Sequence, residues 1–439
     1  MIIKIENSTE FKEVINYLKK KNFREALKKT LSISSRYPEN HIIFKLFANI
    51  YFNLADWENA IKYYKKILPL EENKYGTHLN LGFALFKLGK INNSIISFKN
   101  AINENPKIDL AYDNLGVSYL EIGKFEEAIK NFISALKLNK DNINSQNNLI
   151  NTLSLAKPKN INNHTFTKVD NQISKIISVH KIKNVLNENN IKKILEISGN
   201  ILKNLEKNIY FNETQIFRKN SINLNCARHF KVFNKFNIIP KYCFSCYKVQ
   251  INLKNVVDLI KLHFIFDSLY LENNNTRKCI VETRNYIKGN YKGYLYCEGL
   301  SEAEIVKNKI QNILIKSKIE NFNIVIKHGC SEFYKTYPKF EKINYKGKQE
   351  IEYNQNWKEK EKLIDNIEPK RINLDKKVWK ASLNGLNLSD ILIIKNWINY
   401  ANTIGDFTYK RIYEKEIENS VHVGNILINQ LEFRKDNLK

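Results

Sequence analysis

A 34-residue repeat runs through the first third of the chain. Its clearest marker is a small residue that recurs at positions 26, 60, 94 and 128, as Ala26, Ala60, Ser94 and Ala128. A fixed period of this length is typical of stacked two-helix units, because one such unit cannot bury its apolar faces alone. Two further positions keep the same interval and carry large apolar residues: Tyr17, Tyr51, Leu85 and Tyr119, then Phe23, Trp57, Ile91 and Phe125. The repeat therefore predicts a helical array.

These positions resemble the tetratricopeptide repeat family. The family's glycines are present in the third and fourth repeats, and its terminal proline is present in the first and third: Gly82, Gly89, Gly116 and Gly123, with Pro38 and Pro106. The resemblance implies an all-α solenoid, a right-handed superhelix, over residues 7–157, with four repeats and a capping helix. It also implies that the concave groove of the solenoid binds a protein or peptide partner.

The family lines its groove from fixed positions of the first helix in each repeat. The resemblance assigns one of these positions to Asn80, Asn114 and Asn148 in successive repeats. These asparagines resemble a ladder that holds a peptide backbone, because each amide both donates and accepts a hydrogen bond. Asparagine is also common at this point of the repeat, which leaves a structural role open. Phe83 adds an apolar side chain to the expected groove, with packing between helices as its alternative role.

A second set of groove residues resembles part of a clamp for a terminal carboxylate. Lys45 and Asn49, together with Asn80, match half of that clamp. The other half requires two cations in the next repeat, where this chain has Leu110 and Asn114. The sequence therefore does not favour capture of a chain terminus.

Beyond the repeats, the sequence predicts a linker over 158–165, connecting helices over 166–210, a cysteine-containing α+β domain over 211–337 and a mainly helical extension over 338–439. Alternation of apolar and polar residues predicts the strands, and helical spacing predicts the segments between them. Strands are expected at 247–253, 277–284, 292–300 and 322–330, with helices at 255–271 and 301–317. The order, β-α-β-β-α-β, is that of ferredoxin-like domains.

Four residues before the first of these strands have the spacing of metal ligands. Cys226 precedes His229 by three positions, and Cys243 precedes Cys246 by three. Two such pairs suit a tetrahedral Cys3His site for zinc, or less readily for iron and sulfur, because each pair can straddle one ion from a tight turn. The alternative is that Cys226 and Cys243 are small buried residues and His229 lies at the surface.

The third predicted strand suggests a different function. Lys292, Gly293, Tyr294 and Tyr296 resemble the corresponding strand of RNA-recognition domains. Strand alternation places both tyrosines on one face of the sheet, where bases would stack if that face were open. The first strand offers no second aromatic platform, so a plain sheet surface or a domain interface is the alternative.

Composition and missing motifs narrow the function further. The formal net charge of +26, from 71 Lys and Arg against 45 Asp and Glu, suits an anionic partner, but AT-rich codons account for it equally well. No secretion signal and no stretch near the roughly 18 apolar residues of a spanning helix are present, which predicts a cytoplasmic protein without a membrane span. Phosphate-binding glycine loops and hydrolase nucleophile motifs are missing.

The sequence favours a scaffold or adaptor that binds a protein partner through its repeats. One alternative is an enzyme whose Cys/His domain acts on a repeat-bound protein, with Cys330 and nearby His328 as a candidate nucleophile and base. The other alternative is an RNA-binding protein that uses the sheet.

Overall fold

The chain divides into two compact units in the computed structural model. The first unit is built of residues up to Asn148, and the second begins at Leu149. The boundary predicted from the sequence, after residue 157, lies a little further along the chain. The structure describes residues 5–159, 164–205, 209–218, 226–284, 287–328, 338–343, 351–367, 383–415 and 421–438.

Four consecutive helix pairs and part of a ninth helix form the first unit. The pairs are α1 (Thr9–Lys19) with α2 (Phe23–Ser34), α3 (His41–Asn53) with α4 (Trp57–Ile67), α5 (Tyr75–Lys87) with α6 (Ile91–Glu104), and α7 (Asp109–Glu121) with α8 (Phe125–Leu138). Helix α9 (Ile143–Leu155) follows and continues into the second unit. The helical array predicted from the repeat is confirmed.

The turn inside each helix pair has the same backbone geometry in all four repeats. One residue adopts a left-handed conformation: Lys21 (φ 54°), Ala55 (φ 58°), Gly89 (φ 69°) and Gly123 (φ 72°). The next amide donates a hydrogen bond of 2.9 Å to the carbonyl five residues earlier in every repeat. This pattern is the Schellman ending of a helix, and glycine suits it best because it has no Cβ. Two of the four turns therefore carry the favoured residue.

Glycine also allows the two helices of a pair to approach closely. A Cβ atom on Gly82 would lie 2.6 Å from the ring of Phe98, and one on Gly116 would lie 2.6 Å from the ring of Phe132. Both rings are fully buried, as is Ser94, the small residue that marks the third repeat. The family's small residues therefore stand where helices cross at short distance.

The second unit combines helices with one antiparallel sheet. Its helices are α10 (Thr165–Ser174), α11 (Ile176–Val179), α12 (Glu188–Leu202), α13 (Cys226–Phe236), α14 (Val256–Ser268), α15 (Leu300–Lys316), α16 (Trp357–Ile367), α17 (Leu388–Ile404), α18 (Val421–Leu427) and α19 (Leu431–Asp436). Its strands are β1 (Gln215–Arg218), β2 (Tyr247–Leu253), β3 (Arg277–Val281), β4 (Tyr291–Cys297) and β5 (Phe322–His328). Among the described helices, none is long and apolar enough to cross a membrane.

The five strands lie in the order β1-β3-β4-β2-β5, and every neighbouring pair is antiparallel. Tyr247, at the start of β2, pairs with Cys297 on β4 and with His328 on β5. Helix α14 packs against β4 at Gly293, where a Cβ atom would lie 2.4 Å from Leu262. The predicted succession of elements is present as β2, α14, β3, β4, α15 and β5.

Strand β1 was not predicted, because four residues are too few to show an alternating pattern. Contacts from distant segments hold it in place. Trp397 on α17 donates from Nε1 to the carbonyl of Thr214 at 2.9 Å. Buried Arg218 pairs with Asp390 at 2.6 Å and with Asp267 at 2.7 Å. The strand is therefore defined by tertiary contacts rather than by local sequence.

Candidate functional site

The expected groove residues lie on the first helices of successive pairs and on α9. Lys45 and Asn49 are exposed on α3, and Asn80 is exposed on α5. Asn114 on α7 and Asn148 on α9 are half-buried. The early part of the array therefore offers the more accessible polar side chains.

The cation at the beginning of this groove is already paired. Lys45 Nζ lies 2.8 Å from Oε1 of Glu71, and the Lys45 side chain is 47% exposed while that of Glu71 is 12% exposed. On the next turn of α3, the Nδ2 group of Asn53 donates to Oδ1 of Asn49 at 2.7 Å. The neighbouring carboxylate offsets the charge of Lys45, which adds to the argument against capture of a terminal carboxylate.

The central asparagines, Asn80 and Asn114, have neighbours inside the array. Burial raises the pKa of Tyr64, and the Asn80 side chain opposes that shift. Asn114 donates from Nδ2 to the carbonyl of Leu110 at 2.9 Å. The Asn114 contact uses one side of an amide that has two donor hydrogens and an acceptor oxygen.

Two carboxylates on α7 organise the end of the array. Asp113 Oδ1 accepts from Ser145 at 2.8 Å and from Nδ2 of Asn148 at 3.0 Å. Asp109 Oδ2 accepts from two asparagine amides beyond the end of α8, each at 2.9 Å. Burial raises the pKa of Asp113, and the hydrogen bonds from Asn148 and Ser145 oppose that shift. Asn148 therefore links α9 to α7 through Asp113.

Phe83 packs in an aromatic cluster. Its ring centroid lies 5.4 Å from that of Phe52 and 5.9 Å from that of Trp57. Lys87 Nζ lies 5.0 Å from the Phe83 centroid. The ring is half-buried, so it has both a packing role and some exposed surface.

Carboxylates on α16 anchor the cysteine-bearing segment; Asp365 accepts from Nε and Nη2 of Arg228. Glu361 on α16 accepts from Arg228 of α13 at 2.7 Å and from the backbone amide of Lys241 at 2.9 Å. Lys241 begins a short 3₁₀ turn, Lys241–Phe244, that ends three residues before β2. Glu361 therefore ties the helix that carries Cys226 and His229 to the turn that carries Cys243.

The structure brings one predicted ligand of each pair together. Sγ of Cys243 lies 3.8 Å from Nδ1 of His229, and both side chains are buried. The ring of His229 stacks against Tyr242 with 5.6 Å between centroids. Burial lowers the pKa of His229 to about 4, and the charge of Arg228 contributes to that shift. His229 is therefore a neutral imidazole at pH 7.

The other two cysteines of the predicted set lie at the start of α13 and just after the 3₁₀ turn. Burial raises the pKa of Tyr242, and the charges of Cys246 and Cys226 contribute to the rise. Cys226 and Cys246 are half-buried, and the described cysteines form no disulfide with one another. Within the described part of the chain, no three His, Cys, Asp or Glu side chains are arranged to hold a metal ion. The zinc site stays a prediction.

The prediction that Tyr294 lies on an open sheet face, where RNA bases could stack on it, is wrong. This side chain is 2% exposed, and its ring lies 5.4 Å from Nζ of Lys248 and 5.3 Å from Nζ of Lys278. Lys292 is also buried and pairs with Glu282 at 3.0 Å. Lys292 and Tyr294 are therefore buried and in contact with other side chains of the protein, whereas Tyr296 is half-buried.

The suggested nucleophile and base are not assembled by the described residues. Both ring nitrogens of His328 contact backbone carbonyls, those of Ile343 and Phe244. Its ring also stacks on Tyr247 with 4.2 Å between centroids. Cys330 lies outside the described residues. The imidazole of His328 is therefore engaged on both nitrogens.

Family models for the tetratricopeptide repeat match three consecutive segments of the chain. The matched residues are 46–74, 75–108 and 109–142. Residues 46–142 are tetratricopeptide repeats. The matches cover α4 to α8 and most of α3, which includes Asn49, Asn80 and Asn114. No curated protein is similar enough in sequence to match the chain.

Several solved structures resemble parts of the chain. The 41-to-end form of MamA from Desulfovibrio magneticus RS-1 is 16% identical, and the match covers 44% of this chain and 92% of that chain with a TM-score of 0.32. The first tetratricopeptide repeat domain of Spaghetti (RPAP3), bound to the HSP90 peptide SRMEEVD, is 25% identical over 26% of this chain and 89% of that chain, with a TM-score of 0.25. The Arabidopsis OM64 repeat domain is 19% identical over 26% and 93%, with a TM-score of 0.25.

Sequence reasoning missed the carboxylates that organise the last tetratricopeptide repeat. Asp109 and Asp113 stand at the first and fifth positions of the matched segment 109–142. The available signal was their spacing of four on the first helix, next to Asn114, because residues four apart share a helix face. Their partners begin about 30 residues later, a distance that local pattern does not cover.

Proposed function

We propose that this chain is a protein-interaction scaffold whose repeats hold an extended segment of a partner protein. The observation that carries the proposal is the series of polar side chains on successive first helices. Asn80 is exposed on α5, and Asn114 follows 34 residues later at the equivalent position of α7, while Asn49 is exposed on α3 at a different groove position. Amides in such a series bind the backbone of a peptide without demanding a particular sequence.

The charge distribution favours recognition of a backbone over recognition of a chain terminus. A terminal carboxylate needs cations without a competing anion, since a charge-assisted hydrogen bond gains its strength from the opposite charge. Here Lys45 is paired with Glu71. The repeat after that of Asn80 offers Leu110 and Asn114 in place of cations. The preferred ligand is therefore an internal, extended segment.

Selection of peptides on the immobilised full chain tests this function. Random peptides displayed on phage are enriched on the wild type, synthesised and measured by fluorescence anisotropy. The variant Asn80→Ala/Asn114→Ala removes two amides from the series. We expect it to weaken binding by about 10- to 30-fold, because each lost hydrogen bond costs about 1 kcal/mol.

A matched control removes two asparagines from second helices. Asn131 on α8 donates from Nδ2 to the carbonyl of Glu127 at 2.8 Å, the same local contact that Asn114 makes on α7. Asn93 is exposed on α6. Asn93→Ala/Asn131→Ala should leave peptide affinity unchanged. Equal weakening by both double variants, or no enriched peptide at all, contradicts the proposed groove.

We also propose a ferredoxin-like assignment for residues 247–328. Support comes from the strand order β3-β4-β2-β5 and from the helices α14 and α15 that connect β2 to β3 and β4 to β5. That order and the antiparallel pairing suit the split βαβ arrangement. In this assignment β1 is an added edge strand.

A further inference from the structure

We propose that the outer edge of strand β1 binds an extended segment of a partner protein, which joins the sheet as a further strand. This site goes beyond the repeat groove, because it lies in the second unit and does not depend on the asparagine series. Its support comes from the place of β1 at the edge of the sheet, from backbone groups without a partner there and from a cavity beside them.

The hydrogen bonds between β3 and β4 show which backbone groups of β3 remain for β1. At one end of this pair, the amide of Tyr296 donates to the carbonyl of Thr276 at 2.9 Å. At the other end, the amide of Glu282 donates to the carbonyl of Asn290 at 2.8 Å. Alternate residues of a strand direct their backbone groups to opposite sides. Even-numbered residues of β3 therefore face β4, and odd-numbered ones face β1.

The same alternation divides the four residues of β1. In the register of the two strands, the odd-numbered residues of β3 lie opposite Ile216 and Arg218. The backbone groups of these two residues are therefore bonded to β3, and those of Gln215 and Phe217 point to the outer edge. Unpaired amides and carbonyls on an edge strand are a template for pairing with another chain.

Side chains cap only part of this outer edge. Nδ2 of Asn396 donates to two carbonyls just upstream of β1, at 2.8 and 2.9 Å. The carbonyl of Phe217 accepts from Nη1 of Arg218 at 3.1 Å. Within the described part of the chain, nothing pairs with the amide of Phe217 or with the amide and carbonyl of Gln215. An antiparallel segment of three residues supplies the acceptor, donor and acceptor that match these groups.

A cavity of about 310 Å³ lies along the same edge. All four residues of β1 line it, and its other walls are the end of α9, with Ser154, and the start of α17, with Ser389 and Asp390. These walls also belong to the second unit. A space of this size between two helices accepts a few residues of extended peptide. It excludes the sheet of a second copy, whose own helices flank its β1 in the same way.

The side chains around the cavity define the chemistry of the bound segment. The Phe217 ring is 41% exposed, so an apolar side chain directly opposite it becomes buried against the ring. Arg218 is already paired with Asp267 and Asp390 and has no charge to offer a terminal carboxylate. Glu213 is exposed at the rim, which favours a basic residue over an acidic one. The occupant is therefore an internal segment that combines apolar residues with a lysine or arginine.

A proline at the edge tests the proposal, because proline has no backbone amide. Gln215→Pro removes the outward amide at the first residue of β1, a position where strands accept proline. Gln215→Ala is the matched control, since it loses the same side chain and keeps the amide. Both substitutions are made in full chains that also carry Asn80→Ala/Asn114→Ala, so the outcome does not depend on the groove.

Peptide selection on this pair of chains gives the first measurement. Random peptides displayed on phage are enriched on the Gln215→Ala chain and depleted on the Gln215→Pro chain, and the survivors are synthesised. By fluorescence anisotropy we expect equal affinity for Gln215→Ala and for the chain with Gln215 unchanged. Binding to Gln215→Pro should be at least about tenfold weaker, because one peptide carbonyl then lacks a donor. Circular dichroism shows whether the proline variant keeps its fold.

Backbone methylation of the peptide gives a second measurement that needs no change in β1. N-methylation removes one peptide amide and leaves every side chain in place. We expect binding to weaken at least about tenfold when the residue opposite Gln215 is methylated, and to change little when either of its neighbours is methylated. Only alternate residues of the added strand bond to the edge.

Three results overturn the proposal. One is a selection from which no peptide survives depletion on the Gln215→Pro chain. Another is a selected peptide whose affinity is the same after N-methylation at each residue in turn. The third is a wild-type chain that is dimeric by light scattering and becomes monomeric with Gln215→Pro, because the edge would then be occupied by a second copy.

Discussion

At the scale of single residues, the left-handed turns show how the repeats tolerate departures from their family pattern. Two turns carry glycine, whereas Lys21 and Ala55 adopt the same positive φ with a side chain. Side chains destabilise this conformation because Cβ approaches the backbone carbonyl. The hydrogen bond from the next amide to the carbonyl five residues earlier is nevertheless 2.9 Å in all four turns. The free-energy cost of the positive φ is therefore confined to the residue that adopts it.

Replacing Ala55 by glycine should stabilise the first unit. Ala55 is exposed, so the substitution removes no packing contact. We expect Ala55→Gly to raise the free energy of unfolding by about 0.5–1 kcal/mol, and Gly89→Ala to lower it by about 1 kcal/mol. Urea unfolding followed by circular dichroism measures both. A destabilising Ala55→Gly would mean that the backbone strain is absent.

A buried histidine sets part of the pH dependence of stability. Burial lowers the pKa of His263 to about 3, with the charge of Arg218 contributing. The unfolded chain binds a proton at this residue below about pH 6.5, whereas the folded chain does not until about pH 3. Stability is therefore complete above the unfolded value and falls as the pH drops through this window.

His263→Gln should make the free energy of unfolding less dependent on pH below about pH 6.5. Through this residue, the free energy of unfolding of the wild type falls by about 2–3 kcal/mol between pH 6.5 and 4.5. The slope is about 1.4 kcal/mol for each pH unit. The variant has no group to titrate, so its unfolding free energy should fall less over the same range. Urea unfolding of both proteins at a series of pH values gives the difference. If the unfolding free energies of the two proteins changed equally with pH, His263 would not be the source of this pH dependence.

At the scale of elements, the sequence pattern predicted those helices and strands whose formation depends on local contacts. The succession from β2 to β5 followed from alternation, and the strand β2 has the bounds that the sequence indicated. Strand β1 and the burial of Tyr294 did not follow, because both depend on contacts between segments far apart in the chain. The same holds for Asn148, whose position suggested a groove residue and whose amide is bound by Asp113.

Close helix packing makes one prediction about the repeats. A Cβ atom on Gly82 would lie 2.6 Å from the buried Phe98 ring, whereas one on Gly76 would meet nothing within 4 Å. Both glycines are on α5. We expect Gly82→Ala to destabilise the chain by about 1–3 kcal/mol through overpacking, and Gly76→Ala to be neutral or stabilising by up to about 1 kcal/mol.

Thermal and urea unfolding of the two glycine variants measure these changes in the free energy of unfolding. The pair is matched because substitution is the same on the same helix and only the space available differs. Equal effects of the two substitutions would show that α5 and α6 do not pack at the distance described.

At the scale of the whole molecule, the two units differ in how much of their function the sequence reveals. The repeats are shown by their period and by the family models. The second unit has an antiparallel sheet whose edge strand β1 is held by contacts between distant segments, which no period records.

Hydrogen–deuterium exchange of the full chain, with and without a peptide selected on it, tests the central claim most directly. A ligand slows exchange where it orders or covers the backbone. We predict protection in α3, α5 and α7, with smaller changes in α4, α6 and α8 and none in residues 247–328. Protection centred on 247–328, or on the second helices of the repeats, would contradict the claim that the groove holds the partner.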